Sequence, residues 1–155
     1  MSKKNHIAFY HLSKWSLEFG IAKILERALS QNLKMVVRAA SDEHLTVLNT
    51  ALWTYDQGSF LPHGSTKEKN PEQQPIYLTT GLEVPNKATV LILTENIDAE
   101  DISHFERCID IFEEDRTAIL RARDRWASRK TEGYSLTYWQ QDENGKWGEN
   151  CSPFD

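Results

Sequence analysis

The chain has 155 residues, of which 39% are hydrophobic and 26% charged, and its net charge at pH 7 is −5. This length fits one domain that buries its own core, and the composition is typical of a soluble globular protein rather than a disordered or membrane protein. The negative net charge opposes non-specific binding to phosphate backbones, so if DNA is involved, we expect it to be reached through another protein.

The first half of the chain predicts alternating strands and helices. An apolar and aromatic run at 7–12 predicts a strand, and apolar residues recur at helical spacing from 16 to 31, with Ser16 as the N-cap. A short β-branched run at 35–37 predicts a second strand, and Ser41 is placed to cap a second helix. This β-α-β-α order predicts a largely parallel sheet with helices covering its faces.

The middle of the chain interrupts this alternation. Residues 58–75 hold three of the five prolines and a polar run at 63–70, which predicts an exposed loop. Apolar runs at 75–79 and 89–93 predict two further strands. The next apolar run fits either a strand or a helix, and we predict a strand at about 107–112.

The last third of the chain predicts one helix and one strand. Residues 113–132 have a helical pattern, with an acidic first turn that suits the helix macrodipole and Gly133 as a stop. Residues 134–140 predict a closing strand. The polar residues from Asp142 onward predict a loosely held end.

The whole chain predicts a single domain over residues 1–155, with a core at about 7–147 and a loosely held C-terminal tail at 148–155. Residues 1–8 are not followed by the apolar segment of a secretory signal. No apolar run approaches the roughly 20 residues that span a bilayer. We therefore expect a cytoplasmic protein without membrane contact.

Familiar catalytic and cofactor motifs are absent from the sequence. It contains no GxxxxGKS/T, GxGxxG, GxSxG or HExxH pattern, so a phosphate loop, a nucleophile elbow or a zinc helix has no support. Cys108 and Cys151 are too few for a disulfide framework and are predicted to be free thiols. His104 and Cys108 could approach each other on a helix, but two ligands do not complete a zinc site. We predict no metal, no cofactor and no catalytic activity.

The predicted helix at 113–132 carries cations among its apolar residues. At 100° per residue, five apolar residues share one side of the helix: Ile119, Leu120, Ala122, Trp126 and Ala127. Arg116, Arg123 and Lys130, spaced by seven, project into the middle of that apolar arc. The remaining arginines project elsewhere and predict a solvated basic face: Arg121, Arg125 and Arg129.

Two interpretations of the cations in the apolar arc stay open. Their long aliphatic stems can cover apolar surface while the charged heads reach water. Alternatively, Arg123, beside Trp126 and near Phe112, holds a carboxylate at the rim of an aromatic pocket. A partner that offers carboxylates together with an aromatic residue fits this second interpretation.

A second group of large apolar residues lies at the end of the second predicted helix and on the loop that follows. Trp53 fits an ordinary core position, whereas Phe60, Leu61 and Pro62 on a polar loop fit an interface anchor. His63 could act as a catalytic base only with a partner that the sequence does not identify.

Four blocks of sequence resemble the chi subunit family of bacterial DNA polymerase III. They are residues 9–12, 51–64, 74–79 and 121–139. The similarity covers about residues 7–147 and keeps the blocks in family order, which is more specific than any one short motif. It implies a three-layer, mononucleotide-binding-like (Rossmann-like) α/β fold with a mostly parallel central sheet and no nucleotide chemistry.

The resemblance also implies partners. Chi subunits join the psi subunit of the clamp loader and bind the acidic C-terminal tail of single-stranded-DNA-binding protein, whose last residue is typically a phenylalanine. By position, Arg123 and Trp126 resemble the arginine and the aromatic residue that bind this tail, and Phe112 resembles an apolar pocket residue.

One position departs from the family pattern. Some members carry a lysine at the position of Ala127, and Arg116 or Lys130 is expected to compensate for it here. By position, four residues of this chain resemble the family's surface for psi: Trp53, Phe60, Leu61 and Pro62. The resemblance therefore implies a non-catalytic accessory subunit in DNA replication.

Two alternatives come from other classes of function. An α/β hydrolase of nucleotides or phosphate esters would place its active site where strands meet loops, near His63. A direct binder of single-stranded DNA would stack bases on Trp126 and Trp139 over a basic groove. The absent phosphate motif counts against the first alternative and the net acidity against the second.

Overall fold

An eight-stranded sheet organises the part of the chain that the computed structural model describes, residues 5–55, 63–65 and 71–154. The strands and helices in chain order are β1 (His6–Leu12), α1 (Leu17–Ser30), β2 (Met35–Arg38), α2 (Asp42–Thr54), β3 (His63–Ser65), β4 (Ile76–Thr79), β5 (Val90–Leu93), β6 (Arg107–Glu113), α3 (Arg116–Thr131), β7 (Ser135–Gln141) and β8 (Trp147–Glu149). The strand order is β3-β4-β2-β5-β6-β1-β7-β8. Seven strands are parallel, and β8 pairs with β7 in the antiparallel direction.

Each of the three α-helices in the described residues begins at a side chain that caps its first turn. Ser16 and Ser41 accept hydrogen bonds from amide groups three residues later, at 3.2 and 3.1 Å, as the sequence predicted. Asp115 does the same for α3, at 3.0 Å. The predicted start of this last helix at residue 113 is wrong, because Glu113 still pairs with β1 as the final residue of β6.

Helices cover both faces of the sheet, which confirms the predicted three-layer α/β fold with a mostly parallel sheet. α1 and α2 pack together on one face, over a core that includes Ile21, Val37 and Leu48. α3 lies on the other face, where Phe9 and Val36 are buried. Neighbouring residues of a strand point to opposite faces, so Val36 and Val37 of β2 belong to different cores.

The segment predicted as a loop at 58–75 contains a strand. Residues 63–65 form β3, which pairs in parallel with β4. No apolar run marks this strand in the sequence, because its pairing uses backbone groups at the edge of the sheet. Residues 58–62 and 66–70 of the predicted loop lie outside the described residues.

The later strands that the sequence predicted are confirmed as β4, β5, β6 and β7. The polar end of the chain also contains a strand that was not predicted. Trp147–Glu149 forms β8, and the intervening turn places the amide of Asp142 2.8 Å from the carbonyl of Lys146. The hairpin therefore extends the sheet by one strand beyond β7.

Two arginines of α3 are buried, although the sequence predicted that Arg121, Arg125 and Arg129 form a solvated face. Arg125 is 6% exposed and binds the carboxylate of Asp110 in β6 through two hydrogen bonds, of 2.6 and 2.9 Å. Arg129 is 8% exposed and donates to Asp98 at 2.7 Å and to a backbone carbonyl at 2.6 Å. The prediction was wrong for both because each guanidinium meets a carboxylate from another part of the chain. Arg121 is exposed, as predicted.

Replacing Asp110 by asparagine is expected to destabilise the fold strongly. The Arg125 guanidinium would then remain buried without its carboxylate, which costs about 3–5 kcal/mol of folding free energy. Urea unfolding of Asp110→Asn measures this loss. Arg121→Ala removes an exposed arginine of the same helix and is the control, with an expected change below about 0.5 kcal/mol. Equal unfolding midpoints for the two variants would show that the buried pair does not hold α3 in place.

Candidate functional site

Aromatic side chains gather where α3 packs on the sheet. We call Phe9, Phe112, Trp126 and Tyr138 the α3 aromatic cluster. Trp126 lies edge-on to Phe9 and Tyr138, with ring centroids 5.3 and 5.8 Å apart, and Phe112 lies 6.1 Å from Tyr138. Phe9, Phe112 and Tyr138 are buried, whereas Trp126 is only partly buried. Among these four rings, Trp126 is therefore the one that reaches the surface.

A short polar chain connects this cluster to solvent. The Tyr138 hydroxyl lies 2.9 Å from His11 Nδ1, and His11 Nε2 lies 2.7 Å from a carboxylate oxygen of Glu114. Burial, together with the charge of Glu114, raises the pKa of Tyr138, so the hydroxyl keeps its proton at neutral pH. The hydroxyl can then donate to Nδ1, while His11 Nε2 lies close to the Glu114 carboxylate without the geometry of a hydrogen bond. This arrangement orients the Tyr138 ring within the cluster.

The three cations predicted for a tail site lie along one side of α3. The helical projection placed Arg116, Arg123 and Lys130 in the middle of the buried arc and is wrong, since all three are exposed. The buried side of the helix is formed by Ala118, Ala122, Arg125 and Arg129. The projection was displaced because it treated the two buried arginines as surface residues. Arg123 lies three residues before Trp126, so the two side chains share one stretch of the helix surface.

The structure places four of the five residues predicted for tail binding on α3 and the fifth beneath the helix. Phe112 is 2% exposed and stacks on His11 with ring centroids 5.1 Å apart, so it lies under the surface. Tyr138, which the sequence did not single out as a site residue, lies beside Trp126. Its position depends on the pairing of β7 with β1, where Tyr138 is opposite Phe9. No local pattern in the sequence reveals that register.

Of the four residues predicted for a second partner, Trp53 is described, and it belongs to α2 on the opposite face of the sheet. Trp53 in α2 is 56% exposed, so it is not a core residue. Just after α2, Tyr55 packs on Phe19 of α1 with ring centroids 5.7 Å apart, and the amino group of Lys23 lies over both rings. Three residues predicted for the same surface lie outside the described part of the chain: Phe60, Leu61 and Pro62.

The carboxyl ends of the parallel strands are where open α/β sheets usually hold ligands. Arg38 ends β2 there and is 4% exposed. Its guanidinium donates to Asp101 at 2.8 and 3.0 Å and to the carbonyl of Gly81 at 2.9 Å. The hydrogen bonds from Arg38 lower the pKa of Asp101, which keeps the carboxylate charged. This cation is thus engaged by internal partners and does not offer a phosphate site. The His63 side chain, proposed for a hydrolase, lies outside the described part.

A cavity of about 380 Å³ opens between α1 and the β7–β8 hairpin. Three tryptophans and three cations line it: Trp15, Trp139, Trp147, Lys23, Arg27 and Arg107. The sequence did not predict this cavity because its residues come from well-separated elements. Trp139 faces the cavity, whereas its neighbour Tyr138 faces α3, so Trp126 and Trp139 lie on opposite faces of the sheet. The single stacking groove considered for these two tryptophans is therefore wrong.

The described residues contain no arrangement of side chains suited to metal binding or to thiol chemistry. No three His, Cys, Asp or Glu side chains there come together as metal ligands. His104 lies in a 3-10 turn and Cys108 in β6, so they do not share a helix. Burial raises the pKa of the Cys108 thiol, which makes it a poor nucleophile. None of the described helices is both long enough and apolar enough to cross a bilayer.

Comparison with known proteins identifies related sequences. The family model described as "DNA polymerase III chi subunit, HolC" matches residues 5–137. The probable DNA polymerase III subunit chi of Rickettsia prowazekii is 33% identical over 105 residues, which cover 68% of this chain and 64% of that protein. The DNA polymerase III subunit chi of Pseudomonas aeruginosa is 24% identical over 115 residues, covering 74% of this chain and 79% of that protein. The match thus spans less than two thirds of the length of the Rickettsia protein.

Proposed function

We propose, from the premise that this chain belongs to the DNA polymerase III chi subunit family, that it links single-stranded-DNA-binding protein to the clamp loader. Family membership implies an accessory role in DNA replication. The finer assignment has two parts. One surface binds the acidic C-terminal tail of single-stranded-DNA-binding protein, and the other binds a psi-like subunit.

The observation that supports tail binding is the pairing of an exposed arginine with a partly exposed tryptophan on one helix. The planar guanidinium of Arg123 can bind a carboxylate through two hydrogen bonds. Trp126, one turn further along, offers an apolar ring to the phenylalanine that ends the tail. Phe112 lies beneath and supports the cluster instead of touching the peptide.

Arg116 and Lys130 extend this site along the helix. Arg116, Arg123 and Lys130 repeat every seven residues and are exposed, so they form a row about 21 Å long on one side of α3. An extended peptide of about six residues has that length. The row attracts an acidic tail to a protein whose net charge is otherwise negative.

The positions of the two surfaces suit a connecting role. The row of cations lies on α3, and Trp53 lies on α2 across the sheet. We assign Trp53, with Phe60, Leu61 and Pro62, to the psi-like partner. Because the sheet separates Trp53 from the row of cations, the tail and the psi-like subunit can be bound at the same time.

Arg123→Ala is expected to weaken binding of the tail about ten- to a hundredfold. Loss of a charge-assisted contact in a partly desolvated site corresponds to about 1.5–3 kcal/mol. Arg123→Lys should recover only part of the affinity, because an ammonium keeps the charge without the planar fork. Calorimetry with an acidic peptide that ends in phenylalanine measures all three proteins. Arg121→Ala is the matched control, and equal affinities in every variant would remove Arg123 from the site.

Trp53→Ala and Phe60→Ala are each expected to weaken binding to the purified clamp-loader complex without unfolding the protein. Truncating a tryptophan that acts as a hot spot of an interface costs about 2 kcal/mol or more of binding free energy. Leu82→Ala, which removes another exposed apolar side chain, is the control. The Trp53 variant should keep wild-type affinity for the tail peptide. If a variant no longer shows a cooperative thermal transition, while its remaining folded fraction still binds the complex, the substituted residue belongs to the core and not to the interface.

Direct binding of single-stranded DNA is the second candidate, and the cavity between α1 and the β7–β8 hairpin is the observation in its favour. Stacking on tryptophan beside cations is how proteins hold single strands without sequence preference. The net charge of −5 opposes this function. We therefore expect little binding of a bare oligonucleotide, measured by fluorescence anisotropy at low and physiological salt.

The cavity gives this measurement a structural control. Steeply salt-dependent binding that disappears in an Arg27→Ala, Arg107→Ala double variant would contradict our expectation and assign DNA contact to the cavity. Binding that survives in the double variant would place the contact elsewhere on the surface.

A further inference from the structure

We infer that Phe154 of this chain occupies the aromatic half of the tail-binding surface and competes with the partner's terminal phenylalanine for it. The inference rests on the proposed function for the location of the surface. It adds Tyr138 as a residue of that surface, and it adds a competitor that the chain itself supplies.

Phe154 packs on the two rings that a bound phenylalanine would meet. Its ring lies edge-on to Trp126, with centroids 6.2 Å apart, and edge-on to Tyr138, with centroids 5.4 Å apart. Phe154 is partly buried against the core on the α3 side of the sheet. A second phenylalanine cannot take the same position on Trp126 and Tyr138 until Phe154 leaves.

The preceding residues explain how Phe154 reaches this place. β8 pairs with β7, and directly after it the amide of Asn150 donates to the carbonyl of Tyr138 at 2.8 Å. The side chain of Asn150 then accepts a hydrogen bond from the amide of Ser152 at 3.0 Å. The backbone is thus held next to Tyr138, four residues before Phe154 meets its ring.

The segment that carries Phe154 resembles only the aromatic half of the ligand proposed for this surface. Residues 150–154 read Asn-Cys-Ser-Pro-Phe and contain no acidic side chain, and single acidic residues flank them at Glu149 and Asp155. They therefore fill the aromatic part of the surface without the run of acidic side chains that an acidic tail offers to Arg116, Arg123 and Lys130. An acidic tail gains these charge contacts in addition to the ring contacts, so it can displace a segment that is held at high effective concentration.

Competition of this kind lowers the apparent affinity by the fraction of protein whose site is open. If Phe154 covers the surface in about 70–90% of molecules, its removal raises the apparent affinity about three- to tenfold. The segment would then favour partners that carry both acidic residues and a terminal aromatic ring over partners that carry the ring alone.

Calorimetry with the acidic peptide ending in phenylalanine tests the inference on the full chain. Phe154→Ala should bind the peptide about three- to tenfold more tightly than wild type, whereas Ser152→Ala, its neighbour control, should bind as wild type does. In the free protein, nuclear Overhauser contacts between Phe154 and the rings of Trp126 and Tyr138 should be present, and they should vanish when the peptide is added. If Phe154→Ala does not fold, Phe154→Ser carries the same measurement.

The outcomes separate this inference from the proposed function. Equal affinities for wild type and Phe154→Ala, both reduced by Arg123→Ala, would overturn the competition and leave tail binding in place. Weaker binding by Phe154→Ala would make Phe154 part of the binding platform and also overturn the competition. If neither protein binds the peptide, the proposed tail site is wrong and the competition falls with it.

Discussion

The buried ion pair between Arg125 and Asp110 determines how α3 lies on the sheet. The guanidinium donates two hydrogen bonds to the carboxylate at a buried position, and a planar fork pairs best with a carboxylate that lies in its own plane. Rotation of α3 about its axis would leave two opposite charges unpaired in a medium of low dielectric constant. The pair therefore fixes which residues of the helix face the sheet and which face solvent.

The positions of the proposed binding residues follow from that constraint. Arg123 precedes Arg125 by two residues, which turns it about 200° away and out to solvent. Trp126 is one residue beyond Arg125 and lies at the margin of the interface, with one part of the ring on Phe9 and another part exposed. If α3 were rotated by one residue, Arg125 would lose its pairing with Asp110 and a different set of side chains would face solvent. The chemistry offered to a partner is thus set by an interaction that no partner can reach.

The sequence predicted those parts of the fold in which the buried positions carry apolar residues. The apolar runs of β1, β2, β4 and β5 and the capping serines of α1 and α2 identified these elements, because each depends on local chemistry. β3 and β8 were missed because pairing at a sheet edge needs only backbone groups. Arg125 was wrongly assigned to the surface because a hydropathy pattern does not show that Asp110, far away in the sequence, is its partner. The one indication in the sequence was that Asp110 is a single aspartate inside the apolar run of β6. Arg123 and Trp126 were predicted from helical spacing and from family resemblance, and their role stays a prediction, whereas the positions of Tyr138 and Phe154 depend on how β7 and β8 are paired.

The lengths of the two outermost strands restrict the way in which partners can be recognised. β3 and β8 form the two edges of the sheet in the described chain, and each has three residues. Strands this short offer few free amide and carbonyl groups of their own, so an incoming strand would gain little by pairing with β3 or β8. Self-association through sheet edges is disfavoured for the same reason. Short edge strands thus favour recognition through side chains displayed on the helices, where single substitutions can change specificity without disturbing the strand order beneath.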